Sequence, residues 1–487
     1  MTSTKAVRMS LLHQDAKREA SAELSCFRGE FYSCLDRRAD ALFELTDAVM
    51  CADRPVTSLV ELSLEPVFRR GHGALYDALA DGRIDEDRLR DLLVDQLRTD
   101  SPLMFGVDAT TFPRPNAECS PDRGLHYAPC RCDGDRKVVP GWEFQWVTGL
   151  EWGSSSWTLP VDARRLPEGS CPVASTAAQI RDIADRLGRR GEGAERPAPL
   201  FILDQGYAAA ALAHALGRVP VQTLVRIAGD RVFYDGRPGP RKPGPGRNGV
   251  HGQRFELAAP VNLRRPDQLL IVPETSRYGR VEVRAWHRMH QKVHRTGYFA
   301  TLEAKLFSRL PILEGTVIEV RVERLPDGRS PHRTTWLWHR GPELPDLDVC
   351  WRGYLRRFEM EHTFKLMKSQ LGWTAARLRH PEQAVRWTWL LLAAYAQLRL
   401  ARSLVDDLRR PWERRPRPGK PLTPYRVRRA FRHVRDRLGT PSRVPKTSHP
   451  GPGRPPGGKN TPAPRHRLGS ELRKTGTPVV KARKKKG

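Results

Sequence analysis

Four side chains at fixed gaps have the makings of a site for phosphate chemistry: Tyr354, Arg357, Glu361 and Lys368. They lie in the run Tyr354-Leu355-Arg356-Arg357-Phe358-Glu359-Met360-Glu361-His362-Thr363-Phe364-Lys365-Leu366-Met367-Lys368. At about 3.6 residues per helical turn, all four fall within about 60° of one another. One stripe would then carry a phenol, a guanidinium, a carboxylate and an ammonium. A lone carboxylate held among cations suits a site that binds metal and phosphate together. The plain alternative is a solvated helix face laced with salt bridges. Two further carboxylates stand at strand ends. Asp108 closes the apolar run Leu103-Met104-Phe105-Gly106-Val107, and Asp204 closes Leu200-Phe201-Ile202-Leu203. A carboxylate at the C-terminal end of a buried strand emerges toward a crevice. Many strand-end aspartates are only turn residues or helix caps.

These groups need elements to position them. Residues 1–98 read as helical, with Leu42, Leu45, Val49 and Met50, then Leu75, Leu79, Leu89, Leu92 and Leu93, at helical spacing. The break Arg69-Arg70-Gly71-His72-Gly73 joins two short helices, as a helix-turn-helix or an ordinary hairpin. Trp142 to Leu150 and Ser156 to Val161 alternate like an antiparallel pair. Ala174 to Arg189 and Ala208 to Leu216 read as helices, and Val219 to Ile227 as a strand. The order suits a mixed sheet with flanking helices, hence an α/β fold. Strands return at Leu269–Val272, Val281–Val283, Gly315–Val322 and Thr335–Trp338. A single helix is expected over Val349–Leu371, and an apolar one over Pro381–Arg402. The expected divisions are 1–98, 99–235, 236–345, 346–405, 406–440 and 441–487.

Composition narrows the partners. The chain has 487 residues and a formal net charge of +29, which points to a polyanion, nucleic acid before all others. The tail from Pro441 to Gly487 holds thirteen Lys or Arg against one acid, Glu471, and is expected to be disordered alone and to wrap phosphates. Gly236 to Gly252 is a Gly/Pro/Arg loop whose Arg237, Arg241 and Lys242 are candidate DNA contacts. Gly236-Arg237-Pro238 and Gly453-Arg454-Pro455 resemble minor-groove inserts. The stretch Trp286 to Arg295 mixes aromatic, basic and imidazole groups and suits backbone contacts. The apolar run Trp387–Ala396 is about half the length of a membrane span, and Met1–Leu24 lacks a secretory h-region. Eight scattered cysteines read as reduced thiols, with a weak zinc alternative at Cys119, His126, Cys130 and Cys132.

The spacing Tyr-x2-Arg-x3-Glu-x6-Lys resembles the signature around the third catalytic acid of bacterial insertion-sequence transposases of the DDE type. Asp108-Ala109-Thr110-Thr111-Phe112-Pro113-Arg114 resembles their first-acid motif, and Asp204-Gln205-Gly206-Tyr207 their second. The resemblance covers about residues 100 to 400. It implies a ribonuclease-H-like core with a β-rich insertion between the second and third acids, an N-terminal helical region that binds DNA ends, and a disordered basic tail. It implies that Asp108, Asp204 and Glu361 hold two Mg²⁺ or Mn²⁺ ions, with Asp108 bridging both. Tyr354, Arg357 and Lys368 would contact phosphate, and Trp336 or Trp338 would stack on a flipped base. The implied partners are terminal inverted repeats and target DNA, bound by a homodimer in the bacterial cytoplasm at the nucleoid. A transposase-derived DNA-binding protein that no longer cuts is the alternative.

Overall fold

The computed structural model describes residues 2–98, 102–127, 138–153, 155–191, 197–236, 250–259, 264–300, 310–326, 334–413, 421–446, 457, 461–466 and 468. The chain opens with helix α1 (Thr2–Ser33), strand β1 (Leu35–Arg37), helices α2 (Ala39–Cys51), α3 (Leu59–Leu62) and α4 (His72–Asp81), strand β2 (Arg83–Ile84) and helix α5 (Glu86–Asp95). Local signals explain the starts. Ser58 accepts from the Val60 N–H to cap α3, and Asp85 accepts from the Arg88 N–H to cap α5. Leu42, Leu45, Val49 and Met50 are all buried, as their spacing required.

Next come β3 (Met104–Pro113), β4 (Gly124–Tyr127), β5 (Val138–Leu150), β6 (Thr158–Leu166), α6 (Pro172–Arg189), β7 (Leu200–Leu203), α7 (Ala209–Leu216) and β8 (Gln222–Ile227). Strands β9 (Val232–Asp235), β10 (Gln253–Glu256), β11 (Gln268–Val272), β12 (Val281–Gln291), β13 (Gly315–Val322) and β14 (Thr334–Arg340) follow. Helices α8 (Leu347–Arg356), α9 (Glu359–Ser369), α10 (Pro381–Leu400) and α11 (Pro424–Leu438) complete the order.

Twelve strands form one sheet in the order β10-β9-β12-β13-β14-β8-β7-β3-β5-β4, with β6 also on β5 and β11 also on β12. β3, β7 and β8 are parallel, whereas β5 and β6 run antiparallel beside β3. The run β6-β5-β3-β7-β8 is therefore three consecutive antiparallel strands plus two parallel ones added through helices. That is a ribonuclease-H-like arrangement. β14 joins β8 antiparallel, so the strands lying in sequence between Asp204 and Glu361 extend this same sheet.

The helices before β3 are fused to the sheet. Their buried residues belong to the same apolar cluster as the strands and α10. Charge reinforces the joint. Arg28 donates to both Asp47 oxygens at 2.7 and 2.9 Å and to Gln397 of α10 at 2.7 Å. Arg90 of α5 donates to buried Asp162 of β6 at 2.9 Å. Most of α10 is buried on all sides, which accounts for its apolar run. Among the described residues no helix is long and apolar enough to cross a membrane.

Several expectations change here. The run from Trp286 is largely β12, with Trp286, Met289 and His290 buried, because strand pairing on both sides removes it from the surface. The basic segment after residue 406 spends its arginines internally. Arg426 and Arg429 pair with Glu413, Arg432 with Glu65 and Arg435 with Asp47. The tail is anchored at two described places. Ser442 is buried and donates to Glu44, and the His466 N–H donates to the Glu118 carbonyl. Cys130, Cys132 and Gly453-Arg454-Pro455 lie outside the described residues. The described cysteines are free thiols.

The extended half of the sheet carries an acid-sensitive group. Burial pulls His339 down to about 4, while its Nε2 faces Gln222 Oε1 at 2.9 Å. As pH falls from about 6.5 toward about 4, the unfolded chain takes up a proton that folded His339 refuses, so stability is lost across that window. His339→Gln should flatten this acid-side loss by on the order of 1–3 kcal/mol. Urea unfolding at neutral pH and near pH 5 would measure it; an unchanged slope would remove His339 as the cause.

Candidate active site

Asp108 is the fifth of ten residues in β3, because the strand continues to Pro113. What ends at Val107 is the parallel pairing with β7, whose last partner is Leu203. Asp108 and Asp204 thus stand side by side one step beyond a shared register. The antiparallel neighbour β5 carries β3 onward, which the apolar run alone did not reveal.

The single helix expected over Val349–Leu371 is two helices. α8 ends at Arg356 and α9 begins at Glu359. Between them the Met360 N–H donates to Arg357 and the Glu361 N–H to Phe358, a tighter i to i+3 pattern. The break divides the expected stripe into Tyr354 and Arg357 at the end of α8, and Glu361 and Lys368 on α9. Two glycines bring these helices onto the sheet. A Cβ on Gly353 would sit 2.8 Å from Ile202 Cδ1, and one on Gly106 only 2.1 Å from Met360 Sδ. Side chains at either position would lift the helices off β3 and β7.

That close approach places Arg357 between the two aspartates. One of its terminal nitrogens donates to Asp108 at 3.0 Å, and the other pairs with Asp204 at 2.9 Å. Lys368 donates to Thr110 Oγ1 at 2.5 Å, on the same side of β3 as Asp108. Tyr354 is half-buried in α8; burial pushes its hydroxyl up, and Arg226 beside it opposes that shift. Glu361 is exposed in the first turn of α9, where the helix dipole favours a carboxylate. It lies about 20° from Lys368 around that helix.

Among the described residues no three His, Cys, Asp or Glu side chains converge on one point for a metal ion. The convergence of Asp108, Asp204 and Glu361 is therefore absent from this arrangement. The helix break separates Glu361 from the arginine, and the arginine fills the gap between the two aspartates. The tryptophans are corrected too. Trp338 is 1% exposed with its indole N–H on the Met289 carbonyl, and Trp336 is 7% exposed beside Trp286. Neither can receive a base without opening the sheet. Arg237, Arg241 and Lys242 lie outside the described residues.

Sequence reading missed Arg226, and it quoted Tyr207 in the second-acid motif without giving it a role. Arg226 lies on β8, with its Nη1 3.7 Å from Asp204 Oδ1. It belongs to no motif, and only strand register reveals it. Tyr207 is a half-buried residue whose hydroxyl donates to Gln145 at 3.5 Å.

The aspartate pair fits a divalent cation. Burial is the largest influence on Asp108 and pushes its carboxyl up, Asp204 adds to this, and Arg357 with the Ala109 N–H opposes it without full offset. Asp204 Oδ1 is buried with no hydrogen-bond partner. Both observations describe carboxylates with room for a further donor of charge, and hard cations take such oxygens. The Arg357 guanidinium supplies the charge a cation would bring. Glu361 is the exposed acid of the first turn of α9.

A ribonuclease-H-like sheet with two carboxylates one step beyond the parallel pairing of β3 and β7 is the arrangement of a nuclease class. The DDE superfamily endonuclease family matches residues 30–293, just over half of the chain, and the chain belongs to that family. The matched span includes Asp108 and Asp204, ends before Glu361, and takes in helices from residue 30 onward, which the earlier resemblance did not reach. DNA is the substrate such a family implies, and its members generally use divalent metal ions. A search of curated proteins found no match.

If Arg357 occupies a cation's place, its removal has a signature. Arg357→Met should lower stability without divalent ions by on the order of 1–3 kcal/mol, because two partly exposed carboxylates then face each other. Added Mn²⁺ should raise the melting temperature more in this variant than in the parent. An equal Mn²⁺ response in both proteins would contradict the substitution.

Proposed function

We propose that the chain is a cut-and-paste DNA transposase of the insertion-sequence type. Its bound ions would be Mg²⁺ or Mn²⁺, two in number, held by Asp108, Asp204 and Glu361. The observation that carries the reading is the pair Asp108 and Asp204, register-matched at the strand ends and joined by one guanidinium. The order of the three acids and the gaps Tyr-x2-Arg-x3-Glu-x6-Lys support it further.

When bound, the ions activate the attacking oxygen and stabilise the leaving one. The residues do the rest. Asp108 lies within β3 and Asp204 directly follows β7, so the parallel pairing of these strands sets their spacing. Glu361 sits on α9, beyond the helix break, and would have to close toward them to share an ion. With its two carboxylates committed to cations, Arg357 would be left to neutralise phosphate. Lys368 and Tyr354 flank that position with a positive charge and a hydroxyl donor. Water is the first nucleophile and the freed 3′-hydroxyl the second, so no side chain forms a covalent bond to DNA. The substrates would be the element's terminal inverted repeats and a target duplex, paired in a homodimer.

A second reading has its own support. Arg357 closing the gap between the aspartates also suits a descendant that binds DNA without cutting it. Asp108→Asn, Asp204→Asn and Glu361→Gln separate the two. Each should lower Mn²⁺-dependent nicking of supercoiled plasmid by at least about a thousandfold while duplex binding persists. Nicking that survives in one variant removes that residue from the site, and a parent that never nicks favours the second reading. Removing residues 469–487 should weaken general duplex affinity and flatten its salt dependence; an unchanged slope would place the phosphate contacts elsewhere.

A further inference from the structure

We propose that Arg226 is the side chain that holds a DNA phosphate at the Asp204 edge of this site, a task the sequence motif gives to Arg357. The inference rests on the transposase reading and refines which cation meets the substrate first. It begins with register. Val107 is level with Leu203 on β7, and Leu203 is level with Val225 on β8. One step further, three adjacent parallel strands present Asp108, Asp204 and Arg226 in a row. The sheet itself therefore sets an acid, an acid and a base along one edge.

The two arginines in this row are differently committed. Arg357 is 9% exposed in its side chain, and both of its terminal nitrogens are engaged by aspartates. Arg226 is 45% exposed in its side chain. Its Nη1 lies 3.7 Å from Asp204 Oδ1, beyond hydrogen-bond length, and its charge acts on the Tyr354 hydroxyl beside it. Asp204 Oδ1 has no hydrogen-bond partner of its own. Arg226 is thus drawn toward the site by charge without being saturated by it.

A phosphodiester approaching two carboxylates is repelled unless a cation lies on its path. A guanidinium offers two parallel N–H donors that match phosphate oxygens, which an ammonium cannot. The antiparallel pairing of Arg226 with Leu337 of β14 fixes its backbone. This gives the strands after Asp204 a local purpose: β14 covers what would otherwise be the open edge of β8. Arg226 positions substrate; it does not touch the reacting atoms in place of the acids.

The test compares the parent with Arg226→Ala, Arg226→Gln, Arg226→Lys and a charge-matched control, Arg189→Ala. Arg189 is 61% exposed on α6. Binding of a short duplex of arbitrary sequence is measured across a salt series, with Mn²⁺-induced thermal shifts read alongside. Arg226→Ala should weaken binding about tenfold and reduce the salt slope by about one. Arg226→Gln keeps a long polar side chain and should show the same loss, so a folding defect in the alanine variant does not decide the matter. Arg226→Lys should recover part of the affinity, and Arg189→Ala should behave as the parent. For plasmid nicking, the loss in Arg226→Gln should fall mainly on KM. The proposal is overturned if Arg226→Gln binds duplex like Arg189→Ala. It is equally overturned if Arg226→Gln alters the Mn²⁺ shift while duplex affinity stays put, since Arg226 would then serve the carboxylates alone. Asp204→Asn separates the two levels of argument: continued nicking there defeats the transposase reading, whereas the Arg226 binding result stands or falls by itself.

Discussion

One guanidinium shared by two strand-end carboxylates organises this protein. Two aspartates on adjacent parallel strands would repel each other in a partly desolvated setting, and burial alone already raises the cost of charging Asp108. Arg357 answers both with one group at 3.0 and 2.9 Å. Its position depends on features that otherwise look like weaknesses in a helix and a strand. Gly353 lets α8 settle on Ile202 and Met104, Gly106 makes a hollow for Met360, and the helix breaks immediately after the arginine. A continuous helix would have carried Arg357 and Glu361 around one regular spiral. The break gives each its own orientation.

The sheet supplies the rigidity behind this arrangement. Register on three parallel strands sets Val107, Leu203 and Val225 level, so Asp108, Asp204 and Arg226 follow one residue on, each directly after a paired residue. The strands from β9 to β14 continue the core sheet through β14, so the far edge of β8 is covered instead of open to solvent. On the other side, α5 and α6 are tied to β6 by Arg90, Asp162, Asp182 and Arg186. Charged groups so placed are costly to break singly, because each leaves partners buried without compensation. The N-terminal helices are thereby part of the same mechanical unit as the acids.

Much of this was legible in the sequence, for local reasons. Helices such as α2 and α6 and strands such as β5, β7 and β13 follow directly from apolar period and short runs. The paired aspartates were visible because each follows a buried strand. The rest depended on pairing between distant segments. Nothing near Asp108 in sequence shows that β5 carries β3 five residues beyond it. The helix break between Arg356 and Glu359 has no Gly or Pro to announce it. Arg226 is an unremarked arginine inside a strand until its level is counted against Asp204. Trp336 and Trp338 looked available because aromatic strands read alike on either face, and only the neighbours β8 and β13 show them covered. The metal set was read from motif order, and motif order does not tell which cation stands between two acids.

A net charge of +29 suggests a uniformly basic surface, yet many of the arginines serve the interior. Those of α11 hold Glu413, Glu65 and Asp47, and Arg28, Arg90 and Arg186 hold aspartates within the fold. An arginine committed to a buried carboxylate contributes little to attraction at a distance, since the pair is nearly neutral from outside. The excess that DNA would feel is therefore concentrated in the segments with few acids, above all the last forty-seven residues, with thirteen cations against one acid. On the proposed function, such a tail would gather DNA without sequence preference, whereas the few cations around Asp204 would act only at contact distance. Affinity and positioning would then fall to different parts of the chain: the tail would raise the local concentration of duplex, and the row of Asp108, Asp204 and Arg226 would select the phosphate held against the acids.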